Sequence, residues 1–253
     1  SVRLLKISGN GATAPTLNIT QDIDSYYSAF IVGSDGSGTG YGGIVNHTAG
    51  TLTTGLGSSG RLQIAASAGA STSGNSGTYN FGGAQLTAPT AAIGEQVQIG
   101  NRPGETGLLS MSGYGTFSST GNMNFAGFNG TGELRVEGGN LTINVGDKFQ
   151  MSGGGGGTST LTAVIDGTGF SIINVAGEVR LDGNGGNNTV FNLEIGNGFN
   201  PALGTIYTIL DAGAAFEGHA QFGNATEGTV LSAGDYWELT AHYDNTEDYT
   251  FYL

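Results

Sequence analysis

Residues 131–141 read TGELRVEGGNL, and this short stretch decides the fold. It holds a polar start, an alternating segment Glu133-Leu134-Arg135-Val136, a Gly138-Gly139 corner and one large apolar residue, Leu141. Alternation over four residues is the mark of a half-buried strand, because successive side chains point to opposite faces. The outline returns as SGTYNFGGAQL over 76–86 and as TGLLSMSGYGTF over 106–117. Aligned on the large apolar residue after each glycine corner, the chain gives Leu52, Leu86, Phe117, Leu141, Phe170 and Phe199, with gaps of 34, 31, 24, 29 and 29 residues. A second apolar anchor follows each by about ten residues, at Ile64, Ile99, Phe125, Met151, Leu181 and Ile209.

A repeat of roughly 20 to 50 residues marks a solenoid or a propeller, and strand content decides between them. One period here carries three strands: Glu133 to Val136, Leu141 to Val145 and Lys148 to Met151. Propeller blades need four antiparallel strands and about 40 residues or more, with signatures this chain lacks. The expectation is therefore an all-β, right-handed parallel β-helix of about six coils. Its recurrent anchors Leu52, Leu86, Phe117, Leu141, Phe170 and Phe199 would point inward as one stack. Residues 1–35 are expected to form an N-terminal strand and cap, 36–200 the coils, and 201–253 a final coil with a β cap. Within the first segment, Asp24 to Phe30 reads as a helical turn or equally as two strands entering the first coil.

Composition narrows the function. The chain has 253 residues, 49 of them glycine and none cysteine, so stability must come from packing and backbone hydrogen bonds. Charged residues make up only 11 %, and 20 acids against 7 bases give a formal charge of −13. That surface argues against nucleic acid and anionic membranes as partners. No apolar run is long enough to span a bilayer. A surface of Ser, Thr, Asn and Gly is common in exported bacterial proteins, and a start at Ser1 fits a mature product, so the expected location is extracellular or at the cell surface.

From Phe191 the ending FNLEIGNGFNPALGTIYTILDAGAAFEGHAQFGNATEGTVLSAGDYWELTAHYD follows the coil pattern. The pattern resembles secreted autotransporter-passenger-like β-helix proteins, especially repeat proteins that carry a PEP-CTERM sorting tail. The matching positions are Gly204, Tyr207, Ile209, Leu210, Gly218, Phe222 and Glu227-Gly228-Thr229, then Tyr236 to Thr240 and Tyr249 to Leu253. The resemblance covers roughly residues 40 to 253 and implies a secreted solenoid. It departs from the family at Leu253, where no Pro-Glu-Pro box, apolar segment or basic tail follows.

Many β-helices degrade polysaccharides, which requires clustered acids for calcium with a basic residue, or two carboxylates across a groove. Arg61, Arg102, Arg135, Lys148 and Arg180 are scattered singly, as are the carboxylates. Glu133 and Glu137 share a strand face and read as two solvated outward residues. His47, His219 and His242 lie in separate segments without metal-ligand spacing, so no catalytic or cofactor site is assigned. Asp182, Asn184 and Asn187 in DGNGGNN are weak calcium candidates, lacking the later bidentate Glu of a calcium loop. Asn-x-Ser/Thr sequons occur at Asn18, Asn46, Asn129, Asn140, Asn187 and Asn224 without implying glycosylation. Threonine-rich segments at Thr51 and Thr158 raise an ice-binding face, which needs a flat array of Thr-x-Thr on one side of consecutive coils; the threonine positions do not recur in register.

The rod's ends remain. Residues 1–21 hold Arg3 and Lys6 and no acid, whereas the chain after Arg180 holds ten acids and no base. SVRLLKIS reads as a lone basic strand, and DYTFYL ends in alternating aromatics. The expectation is a structural or adhesive surface protein that polymerises head to tail, Arg3, Leu5, Lys6 and Ile7 of one subunit meeting Tyr249, Phe251 and Leu253 of the next. Surface glycans are the other expected partner, and polysaccharide binding or degradation is the alternative role.

Overall fold

Alternation with a period of two buries every second side chain only if each strand lies on a sheet with one inward face. In the computed structural model three such sheets wrap one core as a β-solenoid of about five turns, close to the six coils expected. The structure describes residues 4–10, 13–25, 29–34, 40–55, 60–66, 74–151, 156–181, 188–196, 198–214, 221–233, 237–243 and 248–252.

Sheet I stacks Leu4–Ile7, Ala29–Val32, Arg61–Ile64, Gln96–Ile99, Met123–Phe125, Phe149–Met151 and Val179–Arg180, all parallel. Sheet II runs from Tyr41–His47 through Ser76–Phe81, Thr106–Ser112, Thr131–Glu137 and Thr158–Ile165 to Thr189–Ile195, again parallel. Before it, Thr16–Ile19 pairs parallel with Tyr41–His47, and Gly9–Asn10 pairs antiparallel with the same strand. Sheet III stacks Ile23–Ser25, Thr51–Thr54, Thr90–Ile93, Gly115–Ser119, Leu141–Val145, Ile173–Val175 and Ile206–Ala212. An antiparallel cap of Asp248–Tyr252, Trp237–Tyr243 and Val230–Ala233 extends that sheet.

The inward columns show where the linear alignment holds and where it slips. On sheet I, Val32, Ile64, Ile99, Phe125 and Met151 lie in register and fully buried, so the second anchor is read correctly over these coils. Ile209 is instead on sheet III, in Ile206–Ala212. The sheet III column is Leu52, Ala91, Phe117, Ile143, Ile173 and Leu210. Of the six expected stack residues, Leu52 and Phe117 belong to it. Leu86 is 98 % exposed on a 3-10 turn, Gln85–Thr87, and Ala91 fills its place. Leu141 is buried but pairs with Gly115, two residues out of step with Phe117. Phe170 and Phe199 lie outside the strands, half-buried at the core margin. Spacing along the chain counts the corner residues, and corner length differs between coils; the backbone ladder alone fixes register.

The polar start of the repeat has its own reason. Gly77, Gly107 and Gly132 align on sheet II, and a Cβ there would sit 2.6, 2.7 and 2.7 Å from the carbonyl oxygens of Val32, Ile64 and Ile99. The coil closes too tightly at that corner for a side chain.

Residues 4–32 already supply strands to all three sheets, so the N-terminal segment forms the first coil and joins the solenoid directly. The stretch around Asp24 holds two strands, Ile23–Ser25 and Ala29–Val32. No helix among the described residues is long and apolar enough to cross a membrane.

Candidate functional site

Outward residues between two inward ones form the working surface. On sheet II the pairs Leu17 and Ile19, Val45 and His47, and Tyr79 and Phe81 flank Asn18, Asn46 and Asn80, which the register aligns. Their amides form a ladder. The Asn80 Nδ2 donates to Asn46 Oδ1 at 2.8 Å, and the Asn46 Nδ2 donates to Asn18 Oδ1 at 2.9 Å. An amide has two N–H donors and two acceptor lone pairs, so each rung keeps hydrogen-bonding capacity for a ligand. Ser110 continues the row, and Thr20, Thr48 and Ser112 widen it into an open groove of about 560 Å³. Its lining carries amides and hydroxyls and no charge.

One coil further the same face becomes ionic. Arg135 follows Ser110 in the row and donates through both terminal nitrogens to Glu194, at 3.0 and 2.8 Å. The hydrogen bond and charge of Arg135 hold the Glu194 carboxyl below its usual range, and Glu194 raises Arg135 in turn. Glu133 accepts a 2.9 Å hydrogen bond from Thr162 Oγ1. Glu133 and Glu137 thus flank Arg135 on one strand face. Glu227 is likewise held below its usual range, by the backbone N–H of Tyr243 and then by His242. Both shifts run opposite to what a general acid needs.

His47 is fully buried. Its Nε2 lies 3.0 Å from the Gly50 carbonyl, which can only accept, so Nε2 carries the proton and Nδ1 accepts from the Tyr79 hydroxyl at 2.9 Å. Burial pushes the His47 pKa down and that of Tyr79 up. The His47 ring lies edge to face with both Tyr79 and Phe81, and the neutral pair faces no solvent. His219 lies outside the described residues, and among those described no group of three or more His, Asp or Glu could hold a metal ion. Asp182, Asn184 and Asn187 also lie outside them.

The proposed docking ends differ from expectation at the C-terminus. Tyr249 and Phe251 lie on Asp248–Tyr252, which is hydrogen-bonded to Ile206–Ala212 on one side and Trp237–Tyr243 on the other. A donated strand would find no edge there; the outer strand of that cap is Val230–Ala233. At the other end Leu4–Ile7 is the terminal strand of sheet I, with Leu5 and Ile7 packed against the core and Lys6 exposed. Arg3 and Leu253 lie outside the described residues.

Sequence reasoning missed the amide ladder, although its signal was present: an Asn stands between two inward residues in TLNI, IVNH and TYNF. No family model, curated protein or solved structure matches this chain.

Proposed function

We propose that this chain is an extracellular structural or adhesive rod, non-catalytic, that lays a neutral glycan chain along the groove of sheet II. The observation that carries the reading is the uncharged ladder of Asn18, Asn46 and Asn80 with Ser110. Coils stack at about 4.8 Å, close to the length of one sugar residue in an extended polysaccharide. Successive rungs can therefore meet successive sugars with the same amide and hydroxyl chemistry. A rod low in charge and rich in Ser, Thr, Asn and Gly suits an exported protein, and the ending that resembles PEP-CTERM-type repeat proteins supports the same setting.

The test is affinity electrophoresis against neutral and acidic polysaccharides. Retardation by a neutral polymer, lost in Asn46→Leu with the fold intact, is the expected result. Retardation equal in both proteins, or none by any neutral polymer, overturns the reading.

A second element, head-to-tail assembly, rests on the terminal position of Leu4–Ile7 in sheet I and on the basic start and acidic end of the chain. Its partner surface would be the outer strand Val230–Ala233 or the end of sheet I, not the strand bearing Tyr249 and Phe251. Negative-stain microscopy across salt concentrations tests it: filaments that shorten at high salt are expected, and polymer that persists after deletion of residues 1–9 refutes the docking.

A further inference from the structure

Register on sheet III brings together threonines that linear spacing keeps apart. Thr51, Thr90, Thr116 and Thr142 are consecutive Cα partners on four stacked parallel strands. This corrects the expectation that the threonines do not recur in register; the slip arose from aligning Leu86 and Leu141 where Ala91 and Ile143 belong. Two residues along each strand lies a second outward row, Thr53, Ala92, Ser118 and Asn144. Eight outward positions on four coils thus carry small uncharged side chains.

The first row differs from the other ladders of the rod. On sheet I, Gln63 donates to Gln98, and on sheet II the asparagines bond one another, so those side chains already spend part of their hydrogen-bonding capacity within the rod. The hydroxyls of Thr51, Thr90, Thr116 and Thr142 make no side-chain hydrogen bond among the described residues, and all four are partly or largely exposed. β-Branching restricts each χ1, so hydroxyl and methyl are held in place before any ligand arrives. The backbone sets the spacing at about 4.8 Å between rows of coils and about 6.6 Å between positions two apart. The spacing between coils, along which the four threonines repeat, lies close to the shorter oxygen repeat of a hexagonal ice prism face.

We infer that the outer face of sheet III, centred on Thr90 and Thr116, binds ice. Hydroxyls at lattice spacing hold water in positions that a growing crystal face can adopt, while the methyls sit between them. A fixed array avoids the ordering cost that flexible side chains would bring to such a contact. Charge is unfavourable at such a face because ice does not solvate ions as liquid water does, and the eight positions carry none. The patch ends in kind as well: Asp24 precedes Thr53 in the second row, and Asp211 closes that row beyond Asn174.

The experiment is ice recrystallisation inhibition with thermal hysteresis on the purified chain, beside Thr116→Tyr and a matched Thr160→Tyr on the outer face of sheet II. Circular dichroism verifies the β fold of each, and Thr116→Val supplies an isosteric variant should tyrosine disturb folding. Expected are faceted crystals and inhibited recrystallisation by the parent and Thr160→Tyr, with loss of both in Thr116→Tyr. Absence of activity in the folded parent, or equal activity in Thr116→Tyr, overturns the inference. The glycan assay reads sheet II and is independent of either outcome.

Discussion

Replacing Phe117 and Leu86 separately by alanine tests the register directly, because the sequence pattern treats the two as equivalent. Phe117 is fully buried, lies between Ala91 and Ile143 in the sheet III column, and meets Phe81 edge to face with ring centroids 5.5 Å apart. Truncating a buried Phe to Ala typically costs about 3–5 kcal/mol, the larger values where the site cannot collapse. Here the neighbour in the column is already Ala91, so the new void opens onto a small residue and the hydrogen-bonded coils hold its walls apart. The cost should sit in the upper half of that range, about 4 kcal/mol. Leu86, at 98 % exposure, has almost nothing to lose, and Leu86→Ala should stay within about 0.5 kcal/mol. In urea unfolding followed by circular dichroism, with a slope of about 2 kcal/mol per molar, the first variant shifts the midpoint down by about 2 M and the second leaves it in place. Equal destabilisation, or a larger effect from Leu86→Ala, would falsify the register and the column built on it.

Four further outcomes follow from named residues. Because burial lowers the folded-state pKa of His47 below its ordinary 6.5, the unfolded chain binds the extra proton first, and the His47 contribution is complete above that value. As pH falls through 6.5 toward the lowered folded value it is lost at up to about 1.4 kcal/mol per unit; a His47→Gln variant should lack this slope in melts between pH 7 and pH 5. Gly82 has φ +125°, and a Cβ there would lie 1.6 Å from the Ser112 carbonyl oxygen, so Gly82→Ala should cost more than about 2 kcal/mol. Gly167→Ala, with open space around it, should be near neutral by the same denaturation assay. Arg135→Ala removes an exposed bidentate pair with Glu194 and should cost no more than about 1 kcal/mol, shrinking in high salt.

The sequence by itself determined the all-β class, the three strands per coil and the inward residues within each strand. Those features are local: alternation in TYNF or TGELRV assigns faces without reference to any other coil, and the glycine after each polar start marks a corner with no room for a Cβ. The second anchor at Ile64, Ile99, Phe125 and Met151 was legible because few residues intervene between its strands and the preceding ones. Register across sheet III was not. The segment between Phe81 and Thr90 carries a 3-10 turn, whereas the one between Ser112 and Gly115 is two residues long, and counting along the chain cannot tell an insertion from a shift. Only the pairing of coils decided that Ala91 replaces Leu86, that Thr51, Thr90, Thr116 and Thr142 form a row, and that Asn18, Asn46 and Asn80 bond one another. The same holds at the C-terminus, where Asp248–Tyr252 reads as a free aromatic strand in sequence but is enclosed on both sides in the fold. Hydrogen bonds between coils join residues distant along the chain, and their partners are chosen by which alignment closes the core, a property of the whole solenoid.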